Sequence, residues 1–169
     1  MKRRVFHTEL VLNISIAIVA TILITILAIK FLDIVPDDPR FVKIPNPGNR
    51  IQIEGYDFSH SKKNVILVLQ KHCRFCAESA PFYAELVKQF KLRDVRFVAF
   101  MPQEPDEARA YLESLNVSGI EVLSGNSNSI GVNATPAVII VDDSGTVVDG
   151  WVGKLAQDTE NEVIYKISR

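Results

Sequence analysis

The stretch NVILVLQKHCRFCAESAPFY, residues 64–83, joins an apolar run to a helical pattern through two cysteines. The run from Val65 to Leu69 is apolar at consecutive positions, which is typical of a strand covered on both faces. Residues 76–90 repeat large apolar side chains at intervals of three to four, which predicts a helix. Cys73 and Cys76, the only cysteines of the chain, therefore fall where a strand passes into a helix.

Two cysteines three residues apart at a helix start can close a small disulfide with little movement of the backbone. Unpaired amides and the helix dipole favour negative charge there, and such placement lowers the pKa of a thiol below its ordinary value of about 8.5. We therefore expect Cys73 to be the exposed attacking thiol and Cys76, one turn further on, to be the shielded resolving thiol. His72 and Arg74 flank Cys73 and can carry positive charge, so both are candidates to tune its pKa.

Other uses of the two cysteines are alternatives to exchange chemistry. Two idle core cysteines are one, although buried structural cysteines rarely fall at a strand-to-helix junction. A zinc site needs two more ligands than the pair supplies. Two cysteines and His72 could hold copper, although no histidine follows the helix, so a copper carrier or assembly factor is the second function considered. A peroxidase is less compatible, because no Pro/Thr-bearing loop precedes Cys73.

A proline directly precedes a strong strand in NATPA, residues 133–137. A proline in this place ends the hydrogen bonding of the sheet. If the Thr135–Pro136 bond is cis, its loop can present the backbone N–H and C=O of Thr135 to an extended peptide, which would add as a short strand beside the cysteines. An ordinary trans proline is the alternative, because only about 5% of X–Pro bonds are cis. We predict Thr135 and Pro136 as substrate-binding residues.

The remaining pattern alternates strands with helices. The predicted strands are 50–54, 65–69, 95–101, 117–123, 137–141 and 146–152, and the predicted helices are 76–90, 104–115 and 157–167. Such an alternation implies βαβ units with right-handed crossovers, and the closing hairpin at 137–152 adds antiparallel strands. The expected fold class is therefore α/β with a mixed sheet.

The N-terminal part predicts a membrane anchor. Leu10 to Ile29 is a run of twenty residues without a charge, enough for a helix to span a hydrocarbon core of ~30 Å. A cleaved signal peptide is the alternative, but the run is longer than a usual h-region and no A-x-A-like site closes it. The predicted organisation is a basic cytoplasmic tail at 1–9, a transmembrane helix at 10–30, a proline-rich tether at 31–50 and a folded domain at 51–169.

Charge and composition restrict the location and the partners. Lys2, Arg3 and Arg4 precede the apolar run, which predicts a cytoplasmic N-terminus and a domain on the periplasmic or extracytoplasmic side of the cytoplasmic membrane. The 169 residues are 47% hydrophobic and 23% charged, and the formal net charge is −1. No basic stripe with interleaved aromatics is present, so nucleic acid is not expected as a partner. Two cysteines cannot form a disulfide scaffold.

Together these motifs resemble the thioredoxin superfamily. The strand before the cysteine pair, Pro81 eight residues after Cys73, Thr135-Pro136 before a strand, and an acidic turn with a hairpin fall in that family's order over about residues 51–168. The resemblance implies a thioredoxin-like fold, a mixed central sheet flanked by helices. With its N-terminal anchor, the chain is most similar to the ResA/TlpA type, thiol–disulfide oxidoreductases that face the extracytoplasmic space.

The resemblance also implies an activity. The redox-active disulfide Cys73–Cys76 would exchange with protein thiols or disulfides without a further cofactor, and a membrane electron donor or oxidant would complete the cycle. Several proteins of the ResA/TlpA type reduce apocytochrome c, so the expected role is that of a reductase in cytochrome c maturation. The chain departs from the family pattern at three positions. His72 stands where Trp is usual, Leu67 where thioredoxins have a buried acid, and Ser79 where a ResA-like acid lies.

Overall fold

The structure is a computed structural model that describes residues 14–25, 42–91 and 93–169. By its internal contacts the chain divides into two compact units, which are residues 1–41 and residues 42–169. Each unit is described by itself below.

In the first unit the described residues 14–25 are helical. The hydroxyl of Thr21 donates to the carbonyl of Ala17 and that of Thr25 donates to the carbonyl of Thr21, which satisfies both groups within the helix. Among the residues described here, no helix is both long and apolar enough to cross a membrane. The predicted anchor at 10–30 extends beyond the described residues at both ends and stays a prediction.

The second unit contains one five-stranded sheet. Its strands are β1 (Lys63–Val68), β2 (Val95–Met101), β3 (Glu121–Ser124), β4 (Ala137–Asp142) and β5 (Val147–Val152). Their order across the sheet is β3-β2-β1-β4-β5. β1, β2 and β3 run parallel, β4 pairs with β1 in the antiparallel direction, and β5 pairs with β4 in the antiparallel direction. This arrangement confirms the predicted mixed sheet and its closing hairpin.

Three α-helices connect and follow the strands, α1 (Arg74–Phe90), α2 (Pro105–Ser114) and α3 (Gln157–Ser168). All three lie within two residues of their predicted bounds. Short 3-10 turns occur at Phe58–His60 and Ser127–Ile130.

The predicted strand at 50–54 is wrong, because only Arg50 forms a bridge, with Thr146. Ile51 and Ile53 are buried as predicted, but they pack by their side chains without a ladder. The alternation of burial there therefore came from tertiary packing and not from a paired strand.

β1 is covered on both faces, as its continuous apolar run predicted. Val65 and Leu67 belong to one buried cluster, while Ile66 and Val68 belong to the cluster on the opposite face. All four are 0% exposed. Burying a side chain of this size stabilises a fold by about 1.5–3 kcal/mol, so β1 is the central support of the domain.

The α-helices lie on one face of the sheet. Every buried apolar residue of α1, α2 and α3 belongs to the cluster that contains Val65 and Leu67. The crossovers β1-α1-β2 and β2-α2-β3 step in the same direction across the sheet, and right-handed crossovers that do so fall on the same side. The opposite face is covered by residues of the non-helical chain and the 3-10 turns, namely Ile51, Ile53, Tyr56, Phe58, Ile130 and Val132.

The folded unit begins before the predicted boundary at residue 51. Pro45 is buried, and Ile44 packs against the cluster that contains Ile66. The Gly48 N–H donates to the Val147 carbonyl at 2.8 Å. Residues 42–50, predicted as the end of a tether, are therefore part of the domain.

Candidate active site

Cys73 lies between the end of β1 and the first turn of α1, where it caps the helix. Its sulfur accepts a hydrogen bond from the Cys76 N–H at 3.1 Å. Caps of this kind are usually oxygen atoms of Ser, Thr or Asp, which satisfy one of the free amides at a helix start. A sulfur in that position faces the positive end of the helix dipole, which favours its thiolate. The predicted placement at the helix N-terminus is confirmed.

The two sulfurs of Cys73 and Cys76 lie at disulfide-bonding distance, with their Cα atoms 5.2 Å apart. Cys73 is half-buried, whereas Cys76 is only 1% exposed. Cys73 is therefore the more accessible of the two sulfurs, as the sequence predicted, while the roles of attacking and resolving thiol stay predictions.

The loop before β4 lies against the cysteine pair. The Thr135–Pro136 bond is cis, which is the isomer that the substrate-binding prediction requires. The Cys73 sulfur lies 3.7 Å from the Thr135 carbonyl oxygen. The Pro136 carbonyl accepts a hydrogen bond from the Gly153 N–H at 2.7 Å, which ties the loop to the end of β5. The structure thus brings together two pairs of residues that lie about sixty positions apart in the sequence.

A second tie on this loop comes from the start of the domain. The Asn133 side chain accepts a hydrogen bond from the Lys43 N–H at 2.6 Å, and the Asn133 N–H donates to the Lys43 carbonyl at 3.4 Å. These two bonds hold the loop two residues before Thr135. Sequence reasoning missed them, because a pairing over ninety residues leaves no local signal.

Of the two predicted tuning residues, His72 faces solvent and Arg74 pairs with a carboxylate of its own helix. His72 is exposed and adopts a left-handed backbone, with φ of 65°. The Arg74 guanidinium forms an ion pair with Glu78 at 2.7 Å, and Lys154 binds the same carboxylate at 2.9 Å. Hydrogen bonds from these two cations lower the pKa of Glu78, and the bond from Lys154 has the larger effect. The charge of Arg74 is thus engaged one turn along the helix, and tuning by His72 and Arg74 stays a prediction.

Phe75, between the two cysteines, is an apolar group that sequence reasoning did not assign to the site. Its side chain is 51% exposed. An exposed aromatic ring between the two cysteines is a candidate contact for a partner, because aromatic residues carry much of the binding energy at protein interfaces. Its position between the cysteines was the signal that could have identified it.

The copper arrangement that the sequence allowed is not assembled. Across residues 14–25, 42–91 and 93–169, no three side chains of His, Cys, Asp or Glu converge as metal ligands. The exposed ring of His72 therefore does not complete a ligand set with Cys73 and Cys76.

A known protein family and several solved structures are similar to this chain. A family model described as Redoxin matches residues 33–166. A search of curated proteins finds no match.

Solved structures share the fold. One is a Chlorobium tepidum protein designated thiol:disulfide interchange protein DsbE, with a TM-score of 0.61 and 14% identity over 74% of this chain and 97% of that one. Another is the thioredoxin domain of a Bacteroides vulgatus thiol-disulfide oxidoreductase, with a TM-score of 0.56 and 17% identity over 75% and 100%. A third is a secreted Mycobacterium tuberculosis disulfide oxidoreductase, with a TM-score of 0.50 and 18% identity over 65% and 83%. At these identities the likeness shows a thioredoxin-like fold.

Proposed function

This chain belongs to the Redoxin family, and on that premise we propose that it exchanges a dithiol and a disulfide with protein substrates. It is a thioredoxin-like oxidoreductase. The observation that carries the proposal is the Cys73–Cys76 pair at the start of α1, with the Cys73 sulfur 3.7 Å from the Thr135 carbonyl oxygen.

In the reducing direction the Cys73 thiolate attacks one sulfur of a substrate disulfide. The substrate S–S bond breaks, a mixed disulfide forms on Cys73, and the other substrate sulfur leaves as a thiolate that takes a proton. Cys76 then loses its proton and attacks the Cys73 sulfur, which closes the Cys73–Cys76 bond and releases the second substrate thiol. Two electrons pass from the pair to the substrate, and the reverse sequence oxidises a substrate dithiol.

The environment of the two sulfurs supports this division of roles. The Cys76 N–H at 3.1 Å stabilises negative charge on Cys73, which helps Cys73 both as nucleophile and as leaving group. The burial of Cys76 prevents it from meeting a substrate directly, so it can act only on the mixed disulfide.

The proposed substrate is an extended polypeptide that carries the cysteine. It would lie across Phe75 and along the Thr135–Pro136 loop, where main-chain groups can pair as a short strand. The half-buried Thr135, whose carbonyl lies beside the Cys73 sulfur, offers a polar contact, and the exposed Phe75, two residues after Cys73, offers an apolar one.

The finer parts of the proposal rest on the sequence pattern and on the resemblance. We propose that residues 10–30 anchor the domain on the extracytoplasmic side of the cytoplasmic membrane, that it acts as a reductase, and that a membrane electron donor restores its dithiol. Cytochrome c maturation is the proposed setting. The chemistry requires no cofactor beyond the Cys73–Cys76 disulfide.

The decisive experiment compares two single substitutions in an assay that reduces a protein disulfide. Cys73→Ser is expected to abolish exchange, because the attacking sulfur is lost. Cys76→Ser is expected to accumulate mixed disulfides, which are visible as adducts on a non-reducing gel, because the resolving sulfur is lost. Unfolding in urea serves as the control for intact structure. Native exchange rates in both variants would refute the proposal.

A further inference from the structure

Two hydroxyl groups are buried in the core below the cysteine pair. Ser79 is 5% exposed and Tyr83 is 1% exposed. Neither the Ser79 Oγ nor the Tyr83 hydroxyl has a hydrogen-bond partner in the part of the chain that the structure describes. Buried hydroxyls without partners are rare in folded proteins, so each requires a physical explanation.

Both hydroxyls lie on the face of α1 that carries Cys76. Cys76, Ser79 and Tyr83 follow one another at helical spacings of three and four, so they are neighbours along one side of the helix. Helical side chains lean toward the N-terminus, so the long Tyr83 phenol extends back toward Ser79, and Ser79 leans toward Cys76.

The pKa of Tyr83 reflects the same surroundings. Burial raises the pKa of Tyr83 to about 12, the Ser79 hydroxyl acts in the opposite direction, and the charge of Glu160 raises the pKa further. Ser79 and Tyr83 lie one helical turn apart on this face of α1, and neither hydroxyl has a partner at hydrogen-bond geometry among the described residues.

Ser79 differs from Ser114 and Ser168, the serines of the other two helices of the domain. Ser114 in α2 donates to the Tyr111 carbonyl at 2.6 Å, and Ser168 in α3 donates to the Tyr165 carbonyl at 2.8 Å. A bond to a carbonyl one turn back is the ordinary solution for serine inside a helix. Ser79 has the same opportunity and does not use it, so its hydroxyl is free to serve another group.

We propose that Ser79 and Tyr83 are positioning residues: once the disulfide opens, the Ser79 hydroxyl donates a hydrogen bond to the Cys76 sulfur, and the Tyr83 hydroxyl donates one to the Ser79 hydroxyl. The inference rests on the proposed function. When a substrate dithiol reduces the pair, the Cys73–Cys76 bond takes up two electrons, the substrate becomes a disulfide, and the protons of its thiols pass to the two sulfurs. Cys76 then carries a thiol or thiolate, which accepts hydrogen bonds better than a disulfide sulfur does.

The hydroxyls would therefore stabilise the reduced protein more than the oxidised one. Ser79→Ala is expected to shift the equilibrium with glutathione about tenfold toward the disulfide, because a hydrogen bond to a charged sulfur is lost only in the reduced state. For a two-electron couple, that factor corresponds to a reduction potential about 30 mV more negative. Tyr83→Phe is expected to shift the equilibrium in the same direction by a smaller factor, because Tyr83 lies one turn further from Cys76.

The experiment titrates the full chain in glutathione redox buffers and measures urea unfolding in both redox states. Ser114→Ala and Tyr111→Phe are the matched controls, since each removes a hydroxyl from α2, and neither is expected to move the potential. Ser79→Ala is expected to destabilise the reduced protein only. The inference would be overturned if Ser79→Ala destabilised both redox states equally, as expected for a hydroxyl that holds a structural water. It would also be overturned if the reduction potential of Ser79→Ala equalled that of the native chain.

The variants also distinguish a failure of this inference from a failure of the proposed function. If Ser79→Ala does not fold, the Tyr83→Phe titration decides the question with the same criterion. If Cys73→Ser still exchanges disulfides, the proposed function fails whatever the Ser79 result. If the cysteines are required and neither hydroxyl shifts the potential, only the positioning role is wrong.

Discussion

Asn64 is a fully buried amide near the start of β1. Its Oδ1 accepts a hydrogen bond from the Tyr56 hydroxyl at 2.7 Å, and its Nδ2 donates to the Phe58 carbonyl at 3.0 Å. Longer bonds reach the carbonyls of Ser61 and Asp142. The Asn64 side chain thus connects three parts of the domain, namely β1, the 3-10 turn that precedes it and the end of β4.

The first prediction concerns Asn64→Leu. The substitution leaves the buried Tyr56 hydroxyl without its acceptor and removes one of the two hydrogen bonds to the Phe58 carbonyl, so the free energy of unfolding is expected to fall by about 2–4 kcal/mol. Urea unfolding measures this change. Asn128→Ala, at an exposed amide, is the control and is expected to stay within about 0.5 kcal/mol. A similarly small effect of Asn64→Leu would contradict the role assigned to the network.

The second prediction concerns alkaline pH and Tyr83. Burial raises the pKa of Tyr83 to about 12 from the ordinary value of 10.0. Above pH 10 the unfolded chain therefore releases this proton while the native protein keeps it. The contribution of Tyr83 to the free energy of unfolding is thus fully present below pH 10 and is lost as pH rises to 12. The loss from this group amounts to about 3 kcal/mol.

Tyr83→Phe is expected to remove that part of the alkaline loss. Unfolding free energies of the native chain and the variant, measured from pH 8 to 12, give the comparison, with the exposed Tyr165→Phe as control. A slope remains in the variant, because burial also raises the pKa of Tyr56 to about 12. Identical slopes in Tyr83→Phe and the native chain would exclude this origin.

At the scale of elements, Lys63 at the start of β1 holds the end of α3. Its Nζ donates to the carbonyls of Lys166 and Ile167 at 2.9 and 3.0 Å. The last carbonyls of a helix lack partners within the helix and carry its negative end, so a lysine is well suited to them. The contact joins residues about one hundred positions apart and docks the last helix on the sheet.

The third prediction follows from this contact. Lys63→Met keeps the aliphatic length but removes the donor, so a loss of about 1–2 kcal/mol in the free energy of unfolding is expected. Hydrogen exchange should show faster opening of the last turn of α3. Lys62→Met changes an exposed neighbour and serves as the control. Unchanged protection in Lys63→Met would mean that the packing of Val163 and Ile167 alone docks the helix.

At the scale of the whole molecule, the domain depends on residues before its predicted start. Ile44 and Pro45 pack on the non-helical face, and the Lys43 backbone holds Asn133 in the loop beside the cysteines. The same segment therefore contributes to stability and to the position of Thr135.

The fourth prediction compares the fragments 42–169 and 51–169. The longer fragment is expected to match the full chain in stability and in disulfide exchange, because it contains the whole compact unit. The shorter one is expected to lose about 2–4 kcal/mol, since the apolar contacts of Ile44 and Pro45 are removed, and to exchange more slowly. Urea unfolding and the exchange assay measure both effects. Equal behaviour of the two fragments would show that residues 42–50 are only a tether.

The sequence by itself determined the features that depend on near neighbours. The apolar run at 65–69, the helix that follows Cys73, and the turn within the closing hairpin are encoded by periodicity and turn residues within a few positions. The cysteine spacing indicated the chemistry for the same reason, because a helix start and a thiol need to be close only in the chain.

Only the tertiary structure decided what depends on distant segments. It placed the Thr135 carbonyl beside Cys73, paired Arg74 with Glu78, collected the helices on one face and left Ser79 and Tyr83 without partners. The physical reason is that these contacts follow from the order of strands and the handedness of crossovers, which bring together residues that share no local pattern.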